Sequence, residues 1–296
     1  MPPRPRPPRR TPRSVVYRRR LVALGVLAAG FAVAWFAVGS VRGGGEEPTT
    51  TAAAVVPPRP FRVVFPEGFT RQQMAERVGA VARIAERERG RRPKLSGRRY
   101  LADTRPPRRE PGFGAQRRPL EGFLFPATYD FTVRTTSVQL VAQQLEAFQR
   151  NWIKIDLRYA RSKNLTPYDV LTIASMVEKE TLSPDERQLV AAVIYNRLHR
   201  RMPLGIYATL RYGLDIPPTE SIRQSQLEST NAYNTRKRPG LPPTPIASPG
   251  LASIQAAAHP ARVDYLYFVR KPDKKHHFFT ASFAAFERYK AEHGYP

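Results

Sequence analysis

Residues 164–198 read NLTPYDVLTIASMVEKETLSPDERQLVAAVIYNRL. Two helix starts stand in a row here. Thr166 is placed to cap the first, with Pro167 at its first helical position and Asp169 at the third. Ser183-Pro184-Asp185-Glu186 repeats that signature before LVAAVIYNRL, which predicts the next helix. In the first helix Val170, Ile173, Ala174 and Val177 recur at helical spacing as an apolar stripe. Glu178 falls over Leu171 and Ala174, and Glu180 over Ile173 and Met176, so the two carboxylates border the stripe on opposite edges. A carboxyl beside apolar surface is harder to ionise, which is what a general acid near neutral pH requires. A solvated E-K-E run at a helix end is the plainer alternative, and periodicity alone does not choose between the glutamates.

Upstream, residues 137–163 are expected to be helical, with Leu140, Val141, Leu145, Phe148 and Trp152 on one face. PLEGFLFPATYDF (119–131) is apolar and aromatic with turn residues, whereas residues 83–118 are Arg-rich and weakly periodic, predicting a solvated helix and loop. Phe61, Val63 and Phe65 alternate as a strand, Gly68 turns the chain, and Thr70 can cap a helix carrying Met74 and Val78. Downstream come a helix around Ala252–Ala257 and the strands YLYFV (265–269) and HHFFT (276–280), joined as a hairpin by KPDKK. The class is α+β, with no internal repeat.

The amino-terminal part has a different character. Residues 1–20 hold eight Arg and no acid. Leu21 to Val41 is an uncharged run of 21 residues, long enough as a helix to cross the roughly 30 Å of a bilayer core. A buried core helix and a cleaved signal peptide are the alternatives, but signal h-regions run only about 7–15 residues. Arg18, Arg19 and Arg20 before the run and Glu46 and Glu47 after it put the tail inside. The expected layout is a basic cytoplasmic tail (1–20), a single transmembrane helix (21–41), a flexible linker (42–60) and a folded part outside the cytoplasm.

The net charge is +25, and residues 59–120 alone hold 17 Lys/Arg against six Asp/Glu. Such an excess suits a polyanionic partner. The outside topology weighs against nucleic acid and leaves an anionic membrane surface or wall polymer. The chain has no cysteine, which excludes disulfides, thiolate metal sites and Cys nucleophiles. Its five His show no metal-ligand spacing, and no metal or other cofactor is expected.

Eight blocks carry a resemblance to the YceG-like (MltG) endolytic murein transglycosylases. They are LEGFLFPATYDF (120–131), LTIASMVEKET (171–181), ERQLVAAVIYNRL (186–198), M-P-L…A-T-L-R-Y-G-L (202–214), YNT (233–235), GLPPTPIASPG (240–250), AAAHPA (256–261) and YLYFV…HHF (265–278). They stand in family order. VFPEGFTRQQMAERV (64–78) also resembles the LysM-like segment that precedes the family's catalytic part. The resemblance implies a small, partial LysM-like segment with an Arg-rich region (61–118) packed on a mixed α/β catalytic domain (119–296).

The implied activity is endolytic cleavage of the MurNAc-GlcNAc bond of nascent peptidoglycan strands, leaving 1,6-anhydroMurNAc ends. The formal class is lyase, and peptidoglycan synthases are implied as partners. Glu178 matches the family's catalytic Glu. Glu121, Asn196, Thr209, Tyr212, Tyr233, Asn234 and Thr235 are implied as substrate-binding residues, each with a structural alternative: loop capping for Glu121, satisfaction of buried backbone for Asn196, a core position for Tyr212. Two positions depart from the family pattern. Tyr207 stands where an Asp is usual, and Arg236 replaces the last Tyr of Y-N-T-Y. The first motivates a second reading, a non-catalytic glycan-binding scaffold on the same fold.

Overall fold

The computed structural model describes residues 60–295. The expected tail (1–20), transmembrane helix (21–41) and linker (42–60, save its last residue) lie outside the described residues. Among those that are described, no helix is long and apolar enough to cross a membrane.

Strand β1 (Phe61–Val64) pairs antiparallel with β2 (Thr128–Phe131). Phe61 faces Phe131 across the ladder and their rings stack at 5.6 Å, an aromatic cross-strand pair that fixes the register. Between these strands lie α1 (Arg71–Arg89) and α2 (Gly97–Thr104). Thr70 caps α1 through a full capping box with Gln73, and Met74 and Val78 are buried as their spacing requires. The division expected at 118/119 therefore falls inside one β-α-α-β arrangement, and a single hydrophobic core runs from Val63 to Ala258.

The Arg-rich stretch is more structured than its composition suggests. Leu95, Tyr100, Thr104 and Phe113 are buried, and Tyr100 donates a 2.6 Å hydrogen bond to the buried Gln144. Arg118 stacks on Tyr168 with its guanidinium 4.0 Å from the ring centroid, so an apparent surface cation covers the core. The expectation of a largely solvated helix and loop missed these few large side chains, because they are spaced too far apart to make a periodic signal.

The helix expected over 137–163 is two helices, α3 (Ser137–Trp152) and α4 (Arg158–Ser162). The break coincides with Asp156, which accepts from the backbone N–H of Arg158 at 2.9 Å in competition with helical pairing. Helix α5 (Pro167–Glu180) begins as predicted. Thr166 and Asp169 form a reciprocal capping box, a feature worth on the order of 1 kcal/mol. Its apolar surface, however, is no stripe, since every residue from Val170 to Val177 is buried. Helix α6 (Arg187–His199), helix α7 (Tyr207–Gly213) and helix α9 (Leu251–Ala258) pack around it. The short α8 (Gln224–Leu227) lies in the intervening loop.

The second expected capping signature works differently. Pro184–Glu186 form a 3-10 turn, Ser183 bonds Asp185, and Glu186 is buried. Glu186 accepts from both the backbone N–H (2.8 Å) and Nδ1 (2.7 Å) of buried His277, tying α6 to the predicted hairpin of β3 (Tyr267–Arg270) and β4 (His277–Thr280). Helix α10 (Phe283–Glu292) closes the fold.

Candidate active site

Helix α5 delivers two glutamates at its carboxyl end, and the structure separates them. The Glu180 carboxylate accepts from the backbone N–H of Ala208 at the start of α7. Burial raises its pKa, with Arg270 opposing most strongly. Glu180 thus satisfies a helix terminus. Glu178 is half-buried and points to the opposite side, where Gly250 N–H, at the start of α9, donates to its Oε2 at 3.0 Å. The loop carrying Gly250 is pinned to α5 by Ile246 N–H donating to Ser175 Oγ at 3.0 Å. Gly68, in the turn after β1, closes the other flank: a Cβ there would lie 3.5 Å from Glu178 Cγ. Its φ of +75° is one that L side chains rarely adopt.

The residues expected to bind substrate fall into two groups. Glu121 is 4% exposed and receives the N–H of Arg71, at the first position of α1, at 3.0 and 3.3 Å. Tyr212 OH donates to Glu121 Oε2 at 3.0 Å, and the Tyr212 ring lies 5.2 Å from that of Tyr233. Burial pushes the Glu121 carboxyl up to about 7 against the pull of these donors. Tyr233 OH in turn shares a 2.8 Å bond with Thr244. Buried Glu121 and half-buried Tyr212 and Tyr233 form a connected network that reaches the 241–250 loop at Thr244.

Thr209, Thr235, Asn234 and Asn196 are engaged inside the protein. Thr209 Oγ1 donates to Ile206 O and bonds Thr235 Oγ1 at 2.9 Å, while Ile206 N–H donates to Thr235 Oγ1. Asn234 Nδ2 donates to Leu227 O and Ser229 O. Asn196 Nδ2 donates to Val263 O and Tyr265 O, both at 2.9 Å. The contacts of Asn196 match its structural alternative, although it stays partly exposed and lines a surface concavity. Thr209, Asn234 and Thr235 are buried, with their polar atoms satisfied inside the protein.

The two departures from the family pattern meet each other. Tyr207, 46% exposed, accepts a hydrogen bond at its OH from Arg236 Nη1 at 2.9 Å, and the guanidinium sits 4.9 Å over its ring. Because Glu180 and Thr235 satisfy the amino end of α7, that helix is not left bare by the missing Asp.

Sequence reasoning passed over Gly250, which donates to Glu178, and Glu67, which lies against Gly250 with Arg187 acting on its charge. Glu67 lay inside the quoted V-F-P-E-G run, and its signal was a charged residue in the turn between a strand and a capped helix. Two concavities lie elsewhere, a groove of about 610 Å³ between α1 and α2 and one of about 720 Å³ lined by Tyr159, Tyr195, Asn196 and Tyr265. The described residues contain no group of His, Asp and Glu able to hold a metal ion.

An α+β domain that presents a half-buried carboxylate to a backbone N–H, beside loops rich in Pro, Thr and Tyr, defines a carboxylate-centred acid–base site. The chain belongs to the YceG-like family, whose model matches residues 46–292. It is 36% identical over 153 residues to an endolytic murein transglycosylase of Bacillus subtilis, covering 52% of this chain and 42% of that protein. It is 38% identical over 182 residues to an endolytic murein transglycosylase of Streptococcus pneumoniae, covering 59% of this chain and 32% of that one. The chain thus spans less than half the length of these relatives. A yceG-like protein from Listeria monocytogenes, solved at 2.6 Å, shares the fold with a TM-score of 0.64 and 29% identity over 78% of this chain and 76% of its own.

Proposed function

We propose that this protein is a membrane-anchored endolytic lytic transglycosylase acting on peptidoglycan strands, with Glu178 as its acid and then its base. The observation that carries the reading is the position of Glu178: half-buried, just after the buried stretch 170–177 of its helix, and oriented by the Gly250 N–H. It lies in a block shared with a family whose relatives bear that activity in their names.

The chemistry follows from one carboxyl. Protonated Glu178 gives its proton to the glycosidic oxygen, the C1–O bond breaks, and an oxocarbenium-like muramoyl ring remains. The Glu178 carboxylate then removes the proton from that sugar's C6 hydroxyl, whose oxygen attacks C1 and closes the 1,6-anhydro ring. The proton returns to Glu178 and no water is consumed. A paired nucleophilic carboxylate, as retaining glycosidases use, is not required. An open site suits a polymer cut within its length. The Tyr212–Tyr233 rings and the 241–250 loop are the proposed substrate-facing neighbours, with Glu121 supporting them from below.

The β-α-α-β arrangement of residues 61–131 supports the LysM-like reading of the first segment. The apolar run 21–41 and the arginines before it support a single anchor, with the folded part outside and its basic surface near anionic lipid. A reporter fused to the carboxyl end checks this; a cytoplasmic signal would sink the topology and the substrate together.

The decisive assay digests uncrosslinked glycan strands with the full-length chain in detergent and looks for 1,6-anhydromuramic ends by mass spectrometry. Anhydro ends that vanish in Glu178→Gln establish the lyase. None from the unmodified chain, with restoration by Tyr207→Asp, would favour the scaffold reading.

A further inference from the structure

The turn between β1 and α1 brings a second carboxylate to Glu178. Two backbone bonds clasp this turn to the 241–250 loop: Gly68 N–H to Ser248 O at 2.9 Å, and Ser248 N–H to Phe69 O at 2.8 Å. Lys179 Nζ adds a 3.3 Å bond to Gly68 O. The clasp sets the Glu67 carboxylate against Gly250, the residue whose N–H orients Glu178, and a Cβ at position 250 would fall on that carboxylate. Gly250 is therefore glycine because Glu67 occupies the space of its side chain. Partial burial and the charge of Glu178 both hold the Glu67 pKa above the usual carboxylate range, with Arg187 opposing. Ser248 Oγ and Arg187 Nε are buried without a hydrogen-bond partner among protein groups.

From this convergence we infer that Glu67 is a positioning residue for Glu178: a second carboxyl, held in place by the clasp, whose charge opposes full ionisation of the pair, so that the pair keeps a proton for Glu178 to give and to take back. The inference rests on the acid–base reading of Glu178. A neighbouring negative charge makes a carboxyl a weaker acid and its carboxylate a stronger base. One residue that must be protonated at the start and basic a moment later gains on both counts. The cations facing the pair are Arg187 from α6 and Lys179 from α5. Neither the 241–250 loop nor α9 carries a charged side chain, and Glu186, beside Arg187, is committed to His277.

The test uses the full-length chain in detergent with ¹³C-carboxyl-labelled glutamate, and Glu178→Gln assigns the Glu178 resonance. In Glu67→Gln the Glu178 titration midpoint is expected to fall by roughly one pH unit. The alkaline limb of anhydro-end formation should fall by the same amount, a loss of about tenfold on that limb with the acidic limb kept. Glu67→Asp retains the charge and should restore most of both shifts, which a merely structural role for Glu67 would not do. An unchanged Glu178 midpoint in Glu67→Gln overturns the inference whatever the activity. A shifted midpoint in a chain that makes no anhydro ends overturns the acid–base reading of Glu178, and the catalytic meaning of Glu67 with it.

Discussion

Glu121 and Glu178 are both acids from family blocks, held by backbone N–H groups at helix starts, and they differ in nearly everything else. Glu121 is sealed in the core with the Arg71 N–H and the Tyr212 OH on its oxygens, and burial raises its pKa to about 7. Glu178 is half-open, with one N–H donor and a second carboxylate beside it. Perturbed titration alone would select Glu121 as the general acid. Access selects Glu178, because a proton donor must come within hydrogen-bond reach of the bond it cleaves.

The largest expected effect separates the two by activity. Glu178→Gln should lower anhydro-end formation by at least about 10²-fold, the usual scale for a positioned acid–base group, and leave the thermal midpoint unchanged. Glu121→Ala should do the reverse. It strips acceptors from buried donors and should cost about 2–4 kcal/mol in urea unfolding, while the folded fraction keeps measurable activity. A large activity loss at full stability in Glu121→Ala would dissolve the contrast.

Glu121 also predicts a pH dependence. Its folded pKa lies above the unfolded value of 4.5, so between about pH 4.5 and 7 the native state binds more protons than the unfolded state. The stability it contributes is present below pH 4.5 and is lost as pH rises through 7. The total is on the order of 3 kcal/mol. Urea unfolding at pH 5 and pH 8 should show this loss in the unmodified protein, and much less of it in Glu121→Gln.

Two smaller effects concern the rim. Gly250→Ala should displace the Glu67 carboxylate and lower activity about tenfold at alkaline pH. Unfolding should move by less than about 1 kcal/mol, because the displaced group is the flexible end of a side chain. Tyr207→Asp should change activity by no more than about threefold, since Tyr207 bonds Arg236 and Glu180 already meets the start of α7.

How far these features could be read from the chain varies with the range of the contact. The Thr166–Asp169 box, the Thr70 cap and the β3–β4 hairpin depend on neighbours three to 13 residues apart, and they are legible in the sequence. The choice between Glu178 and Glu180 was not, because it rests on Gly250 and Ala208, 72 and 28 residues away. The continuous burial of residues 170–177 was hidden for the same reason: a helical stretch enclosed on all sides lacks the polar face that makes periodicity visible. Glu67 escaped notice because its importance lies in a glycine 183 positions later. Tyr207 and Arg236 looked like two separate losses, and only their contact makes them one exchange.

The clasp between residues 68–69 and Ser248 has a consequence for biosynthesis. A chain made from its amino end exposes Glu178 long before Gly250 emerges, and the turn bearing Glu67 must wait beside it without its partner. Such distant closures come late, because the intervening loop entropy is met before the contacts form. The surroundings of Glu178 are thus completed only near the end of synthesis. A chain clipped before residue 250 would contain Glu178 and lack the backbone donor that orients it.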